Sequence, residues 1–335
     1  MVFVTGGSGL VGSHLLLALC RTGKSVKALI RDGAAKLDIK AIFNFWEPEH
    51  ADIYFGRISW VIGDILEIDS LEEAMLGCNE VYHTAALVSF HPLDHRQMEK
   101  VNAEGTANVV NMALHYAVEH FCFVSSVAAI GRTKNGQQIN ESGEWKTSPL
   151  NSKYAITKYT AECEVWRGME EGLNVVVLNP GLVLGPVRNY RSSASIFGKI
   201  KNGFSFYPEG GTGFVDVRDV ADAMINLRDE SWGNRFILVS ENISYREVFS
   251  RIARGFKLKE PHIEAKSWIL KLGWRLFALK DLVFRTKSGI TKESARNAGF
   301  TYYYSSEKVE KVLGRKLRTT EHIIEESCRF FTDQH

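Results

Sequence analysis

The first fourteen residues, MVFVTGGSGLVGSH, constrain this chain more than any other stretch. Met1 to Val4 is a short apolar, β-leaning run. Gly6, Gly7, Gly9 and Gly12 follow, and Leu10, Val11 and Leu15 to Leu19 then open a helical apolar pattern. The order is strand, tight turn, helix. Glycines at these spacings permit positive φ, let a pyrophosphate approach the main chain and let strand and helix pack closely. The helix N-terminus meanwhile aims N–H groups at the anion. The segment predicts a dinucleotide site, with Thr5, Gly6, Gly9, Leu10, Val11 and Gly12 among the residues nearest the cofactor.

Gly7-Ser8-Gly9-Leu10-Val11-Gly12 fits the general G-x-G-x-x-G pattern, a weak signal by itself; read from Thr5 the same stretch spells T-G-x-x-G-x-x-G. A purely structural turn is the competing reading, and the residues downstream must decide. At 335 residues the chain can hold one large or two fused domains, and its 24% charged residues with a net charge of +2 point away from disorder and from a nucleic-acid partner. Cys20, Cys78, Cys122, Cys163 and Cys328 are widely spaced and contain no CxxC pair. They read as reduced thiols of a cytoplasmic protein, with no disulfide framework and no metal site. The opening strand is not the pattern of a signal peptide, and no long uninterrupted apolar run predicts a transmembrane helix.

Ser25 to Ile30 reads as a second strand with Arg31-Asp32 at its tip, where an acidic residue would bind the ribose 2′-hydroxyl of NAD. A guanidinium suits the 2′-phosphate of NADP by charge and by its fork of donors. Arg31 therefore favours NADP, while Asp32 keeps NAD open. Residues 34–56 read as an aromatic-rich helix-and-loop insertion. Ile58 to Ile62 is the third strand, followed by Gly63-Asp64, an acidic turn suited to an adenine amino group. Ser70-Leu71-Glu72-Glu73 reads as a capping box starting a helix that ends near Gly77. Val81 to Ala86 is the fourth strand, in which His83 reads as structural. Arg96 to Val118 is a long amphipathic helix, Phe121 to Val124 the fifth strand, Leu150 to Gly172 a further helix, and Val175 to Leu178 the sixth strand, stopped by Asn179-Pro180-Gly181. Strand and helix thus alternate, the signature of an α/β fold with a doubly wound parallel sheet.

Beyond Pro180, Gly210 to Gly213 reads as a flexible turn before a strand at Phe214 to Val217 and a helix from Asp219. Phe236 to Val239 would return the chain to the sheet, and the remainder reads as helical. The expected division is a Rossmann domain over residues 1–178 plus about 212–240, and a smaller, mostly helical substrate domain over about 179–211 and 241–335.

Tyr154 and Lys158 stand four residues apart, on one helical face. The lysine charge is expected to favour the phenolate and draw the phenol down from about 10, so that it can exchange a proton with an alcohol or ketone. Ser126, at a strand end, can hydrogen-bond the same substrate oxygen. Glycine turn, strand-end serine, then tyrosine and lysine on the next helix carry together what none carries alone.

At these residues the chain resembles the extended short-chain dehydrogenase/reductases of the NAD-dependent epimerase/dehydratase superfamily, in their dihydroflavonol-reductase-like branch. The resemblance rests on Thr5 to Gly12, Gly63-Asp64, His83 to Ala86, Asn102 with Gly105-Thr106, Ser125-Ser126, Tyr154 with Lys158, and Asn179-Pro180-Gly181 with Gly185-Pro186. It implies Tyr154 as general acid/base, Lys158 as the residue that tunes it and binds the nicotinamide ribose, and Ser126 as the group polarising the carbonyl. It further implies cofactor contacts from Asp64, Ile65, Thr84, Ala85, Ala86, Pro180 and Gly181. Asn102 is either the asparagine that organises the site in this family or a helix-internal structural residue. Long helices at 96–118 and 150–172 resemble those that pair into a homodimer interface.

Departures from the family pattern narrow the reaction. Val127-Ala128-Ala129 carries no carboxylate where 4,6-dehydratases hold an acid pair, which disfavours dehydration. Gly210 to Gly213 replaces the arginine with which sugar-nucleotide epimerases grip a pyrophosphate, though Arg188 or Arg191 could substitute. Val88, Ser89, Phe90, Ile130, Pro180 and Leu182, following strand ends, suggest an apolar substrate pocket. The expected activity is NADPH-dependent reduction of a ketone or aldehyde, or the reverse oxidation of an alcohol. An NAD-retaining epimerase and a non-catalytic NADP-sensing regulator are the alternatives. Residues 267–284 read as a packing helix in preference to one lying on a membrane surface.

Overall fold

The β-branched runs and the amphipathic segments between them sort into a doubly wound α/β architecture. The computed structural model describes residues 1–131, 137–149, 151–188, 192–228, 231–266, 269, 273–275 and 291–333. In chain order its strands are β1 (Val2–Thr5), β2 (Val26–Ile30), β3 (Ile58–Ile62), β4 (Glu80–His83), β5 (His120–Val124), β6 (Val175–Pro180), β7 (Leu182–Leu184), β8 (Phe206–Pro208), β9 (Gly211–Asp216), β10 (Asn234–Leu238), β11 (Glu241–Ser244) and β12 (Ile263–Ala265). The helices are α1 (Leu10–Arg21), α2 (Ala35–Trp46), α3 (Ala51–Phe55), α4 (Ile68–Met75), α5 (His95–Glu99), α6 (Gly105–His115), α7 (Lys153–Glu170), α8 (Ser195–Lys201), α9 (Val217–Asn226), α10 (Tyr245–Gly255), α11 (Lys292–Asn297), α12 (Glu307–Leu313) and α13 (Thr320–Asp333).

Seven strands build the central sheet in the order β10-β6-β5-β4-β1-β2-β3, all pairs parallel. The chain winds outward from β1 to β3, then crosses back to β4 on the other side of β1. That reversal opens a crevice at the carboxyl ends of β1 and β4, the place where open parallel sheets bind ligands. One face of the sheet packs on α1 and α9 through Leu15, Leu16, Leu19, Val220 and Met224, the other on α6 and α7 through Val109, Val110, Ala161 and Val165. Because both faces are covered, the central strands are apolar almost throughout rather than alternating.

Residues 34–56, expected as a helix-and-loop insertion, are indeed α2 and α3 joined by a short loop. Several local expectations are corrected. Helix α4 starts at Ile68 rather than at a Ser70 capping box. Asp64 takes the Leu66 amide on its carboxylate (3.0 Å) and the Glu67 amide on its carbonyl (3.0 Å), closing the turn earlier, and Ser70 donates to Glu67 instead of capping. The helix expected at 96–118 is α5 and α6 joined by a π-turn over Lys100–Glu104. Strand β6 runs on to Pro180, since Leu238 of β10 pairs with it there. Gly211 to Gly213 is strand, not a flexible turn: β9 lies between β11 and β7, and a Cβ on Gly181 would stand 2.4 Å from the Gly213 carbonyl oxygen. Small residues at this point let two backbones touch.

Strand β10 is an outer strand, and side chains close its free edge. The Ile237 amide donates to Glu141 Oε1 (2.9 Å), the Val239 amide donates to Ser306 Oγ (2.7 Å), Ser306 donates back to the Val239 carbonyl (2.8 Å), and Lys308 Nζ donates to the Arg235 carbonyl (3.0 Å).

Candidate active site

The glycine turn lies at the crevice. Gly6 has φ +71°, and a Cβ there would fall 2.5 Å from the Ala85 amide nitrogen; one on Gly12 would fall 2.1 Å from the Gly6 carbonyl oxygen. Both positions are closed to any side chain. Gly9 caps α1 with no side-chain acceptor, and no acidic residue occupies the first turn. The orphan N–H groups of that turn, flanked by Leu10 and Val11, are left for an anion. This cradle fits the diphosphate of a dinucleotide.

Thr5 is fully buried, and its work lies inward. Its hydroxyl bonds His83 Nδ1 (2.6 Å) and accepts from the Ala85 amide (3.3 Å), while its carbonyl accepts from Thr84 Oγ1 (2.7 Å). Thr5 thereby ties β1 to β4 and fixes the turn residues beside Thr84, Ala85 and Ala86. His83 completes the tie through Thr106 Oγ1 (2.9 Å) and stacks on Phe123 with 5.4 Å between ring centres. Burial, helped by the Lys158 charge, pulls its pKa from 6.5 to about 3, so the imidazole is neutral and structural.

Arg31 is exposed at the tip of β2. Asp32 Oδ1 accepts the Ala35 amide (3.1 Å) at the start of α2. Asp64 holds its own loop as described, and Ile65 is buried against Gly105, with its carbonyl accepting from Asn108 (3.1 Å).

Ser126, Tyr154 and Lys158 come together at the carboxyl end of β5. Ser126 leaves the strand in extended conformation and accepts the Ala128 amide on Oγ (3.1 Å). Ser152 caps α7 by accepting the Ala155 amide (3.0 Å), which sets Tyr154 in the first turn and Lys158 one turn below. Burial pushes the Tyr154 phenol up, against the opposing pull of its hydrogen bond with Ser126. The expected lowering by Lys158 is not found. Its ammonium, 1% exposed, is drawn down to the Val124 carbonyl (2.8 Å) and lies 4.3 Å from the Phe123 ring centre. Burial takes the Lys158 pKa from 10.5 to about 7, with Glu162 opposing.

Asn102 sits in the π-turn, and its amide holds both main-chain groups of one residue: Oδ1 accepts the Leu87 amide (2.7 Å), and Nδ2 donates to the Leu87 carbonyl (3.0 Å) and to Thr157 Oγ1 (3.0 Å). It thus fastens the loop bearing Val88, Ser89 and Phe90 to α7. Phe90 meets Tyr154 edge to face at 6.3 Å, Val88 is exposed, and Ser89 is spent on Asp94 (2.7 Å). Leu182 is half-buried beside Gly181, and Pro180 is buried in β6. Ile130 is a correction. It is 2% exposed and packs among Val127, Ile139, Ile237, Val239 and Tyr304, so it belongs to the core and not to an open pocket. Arg188 lies 3.6 Å from Asp38, and Arg191 and most of residues 267–284 fall outside the described residues.

Two residues to which the sequence assigned no role in the chemistry join the site from behind. Glu162 lies two turns below Tyr154 on α7, and Asn179 Nδ2 links it (3.2 Å) to the Ser126 carbonyl (2.9 Å). Glu162 shares the i, i+4 face of Tyr154 and Lys158, the one hint the sequence offered.

The chain belongs to the NAD dependent epimerase/dehydratase family, whose model matches residues 2–235. It is an NAD(P)-dependent oxidoreductase of the extended short-chain dehydrogenase/reductase type. A dihydroflavonol 4-reductase-like protein of Synechocystis sp. is 27% identical over 98% of this chain and 94% of its own length. Cinnamoyl-CoA reductase 1 of Petunia hybrida is 30% identical over 73% of this chain and 74% of its own. A yeast methylglyoxal/isovaleraldehyde reductase complexed with NADPH superposes with a TM-score of 0.73 at 20% identity, covering 99% of this chain and 98% of that one, a likeness of fold. Among the described residues no helix is long and apolar enough to cross a membrane.

Proposed function

We propose that this protein reduces the ketone or aldehyde group of a small, largely apolar compound with NADPH, or oxidises the corresponding alcohol. The observation that carries the reading is the meeting of Ser126 and Tyr154 above buried Lys158 at the carboxyl end of β5, beside the glycine cradle. A bound nicotinamide supplies the hydride for the carbonyl carbon. Tyr154 gives its proton to the carbonyl oxygen, Ser126 hydrogen-bonds that oxygen, and Phe90 walls the pocket at the edge of the phenol. Burial keeps Tyr154 protonated, which suits the donor role in the reducing direction.

NADP is favoured over NAD because Arg31 stands exposed at the ribose end while Asp32, the residue that would take a 2′-hydroxyl, is engaged with the Ala35 amide. The reductase names of the relatives agree in direction. The helical face formed by α5, α6 and α7, with Ile156 exposed on it, is the surface we assign to a homodimer. NADPH consumption followed across a panel of aryl and alkyl carbonyl compounds tests the reading. Stoichiometric oxidation should be lost by about a hundredfold or more in Tyr154→Phe with NADPH binding retained. Turnover of a sugar nucleotide without net change in cofactor would identify an epimerase instead.

A further inference from the structure

We propose that Glu162 and Arg235 form a positioning pair that keeps Lys158 cationic in the buried floor of the site. The inference rests on the reading of Ser126, Tyr154 and Lys158 as the working set and extends it to residues behind the sheet ends.

Among the described residues, Lys158 Nζ has a single hydrogen-bond acceptor, the Val124 carbonyl, and an aromatic face at Phe123. An ammonium so enclosed loses hydration that one carbonyl and one ring do not restore; it needs an anion. Glu162, one turn further along α7 and 1% exposed, is the acid among the groups that act on it. The groups around Glu162 all favour its ionised form. Ser125 Oγ donates to Oε2 (3.0 Å), Asn179 Nδ2 donates to the same oxygen (3.2 Å), and Oε1, buried without a hydrogen bond, faces an Arg235 guanidinium nitrogen at 3.5 Å. Arg235 comes from β10 and lies over the Trp166 ring at 5.6 Å, with its side chain 22% exposed. Solvent thus reaches the outer member of the pair while the inner members stay dry.

The remaining titratable groups facing these residues do not replace the pair. His83 of β4 is neutral, Tyr154 is held protonated by burial, and Tyr159 and Cys163 on α7 are both raised toward their uncharged forms. Lys308, beside Arg235, is occupied by Asn234 and the Arg235 carbonyl. Burial on balance raises the Glu162 carboxyl above the ordinary carboxylate range, and Arg235 is the largest influence opposing that rise. Charge is therefore passed inward in alternation, from Arg235 to Glu162 to Lys158.

The test is direct titration of Lys158 in the full-length chain labelled with 13C at lysine Cε, its resonance assigned by loss in Lys158→Arg. Glu162→Gln keeps the shape and removes the charge, and should lower the Lys158 midpoint by about one pH unit or more. Glu162→Asp should recover part of that shift. Arg235→Met, which keeps the packing on Trp166, should shift the midpoint the same way in the parent and not at all in the Glu162→Gln background, because it acts through Glu162. An unmoved midpoint in Glu162→Gln, or additive shifts in the double variant, overturns the proposal. Should Glu162→Gln fail to fold, Arg235→Met alone decides by the same readout. The measurement needs no turnover: a shifted midpoint in a protein that reduces no carbonyl compound would sink the reductase reading and leave this one standing, and the reverse pattern would do the opposite.

Discussion

The glycine turn and the buried rear of α7 lie at the same crevice and are built in opposite ways. The turn works by what it lacks: Gly6 and Gly12 admit no Cβ and α1 has no capping side chain, and apart from the close approach of Ala85 to Gly6 its determinants are neighbours in sequence. The rear of α7 works by what is delivered to it, with Glu162 from the helix, Ser125 from β5, Asn179 from β6 and Arg235 from the outermost strand. A site for a backbone-bound ligand can be written locally, whereas a site that holds a charge out of water has to be assembled from the whole sheet.

Breaking the local side should give the largest effect. Gly12→Val forces a side chain onto the Gly6 carbonyl, and dinucleotide affinity measured by fluorescence titration should fall by about a hundredfold or more. The Lys158 midpoint should stay put; if it moved, the two regions would not be separable. Breaking the assembled side through Asn179→Ala removes donors to Ser126 and Glu162 and should cost about 2 kcal/mol in denaturant unfolding, with dinucleotide affinity nearly unchanged.

His83 touches both regions, through Thr5 on one side and the Phe123 ring on the other. Its pKa is 6.5 unfolded and about 3 folded, so between those values the unfolded chain binds one more proton. The stability this neutral imidazole contributes is complete above pH 6.5 and is lost as pH falls toward 3, by about 1.4 kcal/mol per pH unit. His83→Gln can keep the bonds to Thr5 and Thr106 and should flatten the dependence of unfolding free energy on pH from 6 to 4 by that slope. The smallest effect belongs to the rim. Arg31→Ser should weaken NADPH binding by about tenfold and leave NADH within about twofold; equal losses for both would remove the case for the phosphorylated cofactor.

The same division explains what could be read from the chain. The turn, the alternation of strand and helix through β6, and the Tyr154–Lys158 face were legible because periodicities of two and of 3.6 residues and the absence of side chains are local signals. Ile130 was misplaced because a residue just past a strand end faces either ligand or core according to what is packed on it. Ile237 and Tyr304, brought in by distant segments, decide for core. The direction of the Tyr154 shift was misread for a related reason. Spacing put Lys158 on the right face, but only the fold shows its ammonium pulled onto the Val124 carbonyl. Gly211 to Gly213 looked flexible in isolation and is a strand because β7 and β11 flank it.

The plugged edge of β10 has a consequence for the order in which the molecule is made. Val239 is translated 67 residues ahead of Ser306, the residue that satisfies its main chain. At roughly 5–20 residues per second, the edge waits roughly 3–13 s on the ribosome with the Val239 amide unmatched, the Ile237 amide having Glu141 from the start. During that interval the nascent sheet can recruit a foreign strand, so a chain truncated before Ser306 should be far more prone to aggregate than its nearly complete Rossmann sheet suggests.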